Sequence, residues 1–193
     1  IRLHTSVLPS TYYLSFNMLD DVVGGYAEDK CKLRQAISIA LDYEEYIQIF
    51  TNGRAIPAHS PIPPGIFGYE EGENGINSYV YNWDAKRGPV RKSLEEARRL
   101  LAETGYPDGK DKVGRPLVIG FDNAWVGSEA VPILSWMRKK LEAIGIIMEN
   151  RTTDANRFQD KMRDGNFQIL AIGWHADYPD PENFMFLLYG PNS

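Results

Sequence analysis

The chain has 193 residues, 43% of them hydrophobic and 24% charged, with a formal net charge of -5; that is enough apolar material for one sizeable domain, and it excludes a chain that stays disordered. The surface lacks the Lys and Arg excess that phosphate contacts require, which argues against nucleic acid, and no window approaches the ~18 apolar residues that cross a bilayer. A single Cys31 allows no internal disulfide, and no Cys and His spacing resembles a zinc site, so no metal or cofactor is expected.

The chain opens at Ile1 with neither an initiator Met nor a basic-then-apolar leader, which reads as an excerpt from a longer precursor. From Thr11 to Met18 the residues alternate, Tyr12, Leu14, Phe16 and Met18 on one face and Tyr13, Ser15 and Asn17 on the other, the period of a strand with one face in a core. From Asp29 the spacing changes to Leu33, Ala36, Ile37, Ala40 and Leu41, an amphipathic helix in which Cys31 is expected to be a small packing residue. A second short helix, about Glu44 to Phe50, ends at Asn52-Gly53, where Gly takes a left-handed cap.

Residues 54–92 carry Pro57, Pro61, Pro63, Pro64 and Pro89 with Gly65, Gly68, Gly72, Gly75 and Gly88, a density that predicts no regular element. A loop of this length inside a domain is expected to be a covering segment or a linker. Ser93, with Glu96 three residues on, is a capping box that opens a helix with Leu94, Ala97, Leu100 and Leu101 inward, closed by Gly105. Leu117 to Phe121 reads as a strand, followed by a helix with Ala130, Leu134, Met137 and Leu141 on one face that stops at Gly145. Ile146 to Glu149 is again strand-like, and Asp154 caps a short helix through Met162. Alternation of this kind predicts an α/β fold with a mixed, mostly parallel sheet flanked by helices.

The last strand carries the most information. Phe167 to Ile172 reads as a strand covered on both faces, Gly173 lets the backbone turn, and Trp174, Asp177 and Tyr178 follow at the carboxyl end, the edge where open α/β sheets hold ligands. Pro179 and Pro181 fix two φ angles, so the loop is partly ordered before anything binds. A carboxylate beside Trp and Tyr suits a cation such as a peptide amino terminus. A surface turn whose Trp only covers the core fits the same residues.

Other chemistry has less support. His4, His59 and His175 are far apart, and none adjoins a Ser or Cys in a recognisable elbow. Phosphate-cradling glycine patterns are absent. Asp177, Asp180 and Glu182 fit no EF-hand, and Pro179 and Pro181 restrict how their carboxylates converge. The rival to a binding role is an α/β hydrolase-like enzyme with Asp177 as general acid or base.

Five segments taken together resemble a known family: Asp29 to Asp42 (with KLRQAISIALD), Ala58 to Pro64, Ser93 to Gly105, Leu141 to Ile146 (LEAIGI) and Phe167 to Pro181 (with GWHADYPDP). They are similar to the extracellular solute-binding proteins of family 5, the oligopeptide-, dipeptide- and nickel-binding components of ABC importers. The resemblance implies one lobe of a Venus-flytrap, type II periplasmic-binding-protein-like fold, with residues 1–193 an incomplete C-terminal lobe that stops where family members continue. It implies a non-enzymatic monomer, periplasmic or extracellular, with lipid anchoring open, that delivers a peptide or similar solute to a membrane permease. Asp177 matches the acidic position that binds the ligand's α-ammonium and Trp174 an aromatic lining the pockets, with Tyr178, Ala176 and His175 as pocket neighbours. A nickel role gains nothing, because no His pair lies at ligand spacing. A lobe alone is expected to bind peptide weakly or not at all.

Overall fold

The computed structural model describes residues 6–192. Strand β1 (Ser10–Phe16) leads into helices α1 (Glu28–Ala40) and α2 (Tyr43–Phe50), then a hairpin of β2 (Tyr81–Asp84) and β3 (Gly88–Arg91), then helix α3 (Leu94–Glu103). The remainder alternates as β4 (Val118–Asn123), α4 (Ala130–Glu142), β5 (Ile147–Thr152), α5 (Ala155–Arg163) and β6 (Ile169–His175), before a one-turn helix α6 (Glu182–Met185). The main sheet has the order β1-β6-β4-β5. β4 runs parallel to both β5 and β6, and β1 runs antiparallel to β6 along its edge, so the sheet is mixed and mostly parallel.

The chain steps from β4 outward to β5 and then back across β4 to β6. With right-handed crossovers, those two steps put α4 and α5 on opposite faces of the sheet. The burial agrees: Leu134, Met137 and Leu141 of α4 join the main core with Leu33, Ile37, Leu100, Leu101, Ile119 and Phe121, whereas α5 buries only Phe158.

Local chemistry places the helix ends where the sequence reading put them. The Ser93 hydroxyl accepts from Glu96 N at 3.2 Å, and Asp154 accepts from Asn156 N and Arg157 N, both at 3.1 Å. Asn52 and Gly53 after α2 both take positive φ, 52° and 70°.

Four expectations are corrected. The Pro/Gly-rich stretch does contain regular structure, the β2-β3 hairpin, because Asp84 Oδ1 accepts from Lys86 N and Arg87 N and Gly88 takes φ 78°, which closes the turn, while Pro89 lies opposite Trp83 on a two-stranded ribbon. Cys31 is exposed, not packed, since it lies two residues off the Leu33, Ala36, Ile37 stripe and so on the opposite side of α1. Tyr12 is 81% exposed although Leu14 and Phe16 on the same face reach the core, because it lies beyond the part of the sheet that the helices cover. Gly173 is not the turn that ends the strand; it lies within β6 opposite Tyr12, and a Cβ there would sit 2.4 Å from that ring.

The loop beside the sheet edge

β6 pairs with β4 only through Phe121 opposite Ile169 and Asp122 opposite Leu170. Beyond that point its sheet neighbour among the described residues is β1, and the strand is fully covered only at its start: Ile169 and Leu170 are buried, and Ala171 and Ile172 are half-buried. Its carboxyl end thus projects along the edge shared with the carboxyl ends of β4 and β5.

Strand alternation divides the candidate residues between two faces. His175 shares its face with Gly173 and Ala171, opposite Ser10 of β1, and the Ser10 hydroxyl and His175 Nδ1 are 2.5 Å apart. Both residues are solvent-accessible, and among the described residues no carboxylate bonds the other ring nitrogen, so the group that orients a catalytic His is missing. His4 lies outside the described residues.

Trp174 takes the other face. It packs with Ile62, Ile66, Ala176 and Phe184 in a satellite cluster separate from the main core, and Phe186 meets its ring edge-on at 5.4 Å. The long loop therefore lies against this end of β6, tied down further where the Thr11 hydroxyl donates to Pro61 O at 3.1 Å. Ala176 is buried in the same cluster, and its N–H donates to Pro9 O at 2.9 Å.

Asp177 and Tyr178 then emerge into solvent. The backbone of Asp177 is held, its N–H donating to Asn183 Oδ1 at 3.2 Å, but its carboxylate has no hydrogen bond or ion pair with any described residue. Tyr178 is 48% exposed. Asp180 turns inward on the chain instead, accepting from Glu182 N at 2.9 Å. Among the described residues no three His, Cys, Asp or Glu side chains are grouped as a metal site would need.

The sequence reading missed Asn183. It is 2% exposed, and its Oδ1 accepts both the Asp177 N–H and, at 2.8 Å, the Trp174 indole N–H. The sequence holds little signal for this: a polar residue flanked by Glu182 and Phe184 reads as the wet side of a turn. Two open concavities, each about 300 Å³, lie elsewhere, one lined by Thr104, Tyr106, Asp111 and Arg115 and the other by Asp42, Glu44, Gln48 and Pro57. Asp177 itself is exposed.

Known proteins place the chain. The oligopeptide-binding protein OppA of Bacillus subtilis is 24% identical over 98% of this chain and 32% of its own length, and the heme-binding protein A of Haemophilus influenzae is 26% identical over 86% and 27%. The structure of the Escherichia coli murein tripeptide binding protein MppA superposes with a TM-score of 0.70 at 19% identity, over 96% of this chain and 33% of that one, which shows the fold. The chain thus spans about a third of the length of the relatives it matches. Residues 3–193 match the family described as "Bacterial extracellular solute-binding proteins, family 5 Middle", and the chain belongs to that family.

Proposed function

We propose that this chain is an incomplete C-terminal lobe of the solute-binding component of an ABC importer, which captures peptides or a similar small solute outside the cytoplasmic membrane and hands them to a permease. The whole protein acts as a periplasmic or extracellular monomer. The observation that carries the reading is a carboxylate, Asp177, that pairs with no described residue and lies in solvent, while the main chain leading to it is held, the Ala176 N–H on Pro9 O and its own N–H on Asn183 Oδ1. An exposed carboxylate is ordinary on a protein surface; this one is set apart by its held backbone at the carboxyl end of β6, beside Trp174. The names of the relatives, which bind oligopeptides, a murein tripeptide and heme, support a small solute and favour a peptide.

In this account the ligand's ammonium meets Asp177, the face of Trp174 lies beside it, worth ~0.5 to 2 kcal/mol as a cation-π or packing contact, and Tyr178, His175 and Ala176 shape the surroundings. Closure of a second lobe excludes water and strengthens the charge contact. The lobe alone binds weakly because it lacks that enclosure.

The test is an NMR titration of the chain with trialanine and with N-acetyl-trialanine. The expected result is a dissociation constant on the order of 1 mM or weaker for the free amine, with shifts centred on residues 174–178, and none for the acetylated peptide. Equal response to both peptides contradicts the reading, and tight binding by this chain alone contradicts its dependence on a second lobe.

A further inference from the structure

The geometry points to Asn183 as the positioning residue of this site: one buried amide oxygen sets both the backbone of Asp177 and the orientation of Trp174. The inference rests on the functional reading above and adds to it what holds the binding groups in register. Three observations carry it. Asn183 is buried to 2% exposure, so its oxygen is not exchanging these partners for water. That oxygen accepts two N–H groups from different parts of the chain, the Trp174 indole at the end of β6 and the Asp177 amide in the loop beyond it. Asn183 is itself fixed, its own N–H donating to Asp180 O at 3.1 Å, and the next residue, Phe184, is 2% exposed inside the satellite cluster.

A specificity consequence follows. With its only donor spent on Asn183, Trp174 has no N–H left for a ligand and offers the face of its ring alone. The ligand group beside Asp177 is then selected for apolar, aromatic or cationic character. A hydrogen-bond acceptor in that place gains no donor from the Trp174 ring.

Two variants separate this role from simple filling of space. Asn183→Leu keeps the volume and removes the acceptor, leaving two N–H groups without a partner. Asn183→Asp keeps the acceptor. The readouts on the intact chain are hydrogen exchange of the Trp174 indole proton, measured without ligand, and the titration with trialanine. We expect exchange about tenfold faster or more in Asn183→Leu and an affinity for the free amine weaker by a similar factor, with Asn183→Asp restoring both. In the unsubstituted chain the Trp174 indole proton is expected to exchange at least about tenfold more slowly than free indole, which needs no substitution and stands even where a variant fails to fold.

An Asn183→Leu protein with unchanged indole exchange and unchanged affinity overturns the proposal, as does rapid indole exchange in the unsubstituted chain. If the unsubstituted chain responds equally to the free and acetylated peptides while indole exchange responds to the acceptor as expected, the functional reading fails, and with it the ligand-positioning role, leaving Asn183 only as an anchor of the loop.

Discussion

Two carboxylates in this chain are treated in opposite ways. Glu44, at the start of α2, accepts the Tyr81 hydroxyl at 2.5 Å and Arg91 Nε at 2.7 Å, while Arg91 also donates to Ser38 O and Ile39 O and stacks 4.9 Å from the Tyr81 ring centre. That network fastens the β2-β3 hairpin onto the first two helices. Asp177 is the reverse: its main chain is fastened, and its charged end has no partner among the described residues. The contrast teaches how to tell the two uses of a carboxylate apart. At Glu44 the charge itself is the fastener and partners converge on the side chain; at Asp177 the backbone carries the fastening, which leaves the side chain available to the proposed ligand.

The largest effect should come from removing the fastener's cation. Arg91→Met leaves Glu44 and the Tyr81 hydroxyl facing each other with two helix carbonyls unpaired, and is expected to lower stability by about 2 to 3 kcal/mol, read as a drop in Tm on the order of 5 °C or more. A drop below about 2 °C would show that the network is peripheral.

Acid should act on the same network. Burial pushes the Glu44 carboxyl up, but the hydrogen bonds from Arg91 and Tyr81 outweigh it and hold the group below its ordinary value of 4.5. A group lowered in this way contributes stability that is full above the unfolded value and is lost as pH falls through the folded one. Arg91→Met is therefore expected to unfold in acid at a higher pH than the parent when followed by circular dichroism; coincident curves would contradict the assignment.

A smaller effect is expected at the site's strand. In Gly173→Ala the new Cβ meets the Tyr12 ring at 2.4 Å, but that ring is 81% exposed and can swing outward, so the cost should stay below about 1 kcal/mol. A larger loss would mean that the ring is fixed there. The smallest change in stability belongs to Asp177→Asn, within about 0.5 kcal/mol of the parent by thermal melting, because no partner among the described residues is lost.

Much of the fold was legible because its signals are local. The caps at Ser93 and Asp154, the core stripe of α1 and the four sheet strands all follow from spacing and side-chain chemistry within a few residues. The failures share a different cause. The hairpin was hidden because its closing device, Asp84 with Gly88, was counted among loop residues. Trp174 and Asp177 were legible as a pair at a strand end, but their support was not: Ile62 and Ile66 lie more than a hundred residues away in sequence, and Asn183 looks like any polar residue until both of its donors are seen.

The central claim is that the Asp177 charge serves a ligand and not the fold, and the affinity of Asp177→Asn for trialanine tests it most directly. The account predicts that this isosteric change removes amine-dependent shifts, weakening binding by about tenfold or more, while the melting temperature stays where it was. Unchanged affinity in a folded Asp177→Asn chain would contradict it.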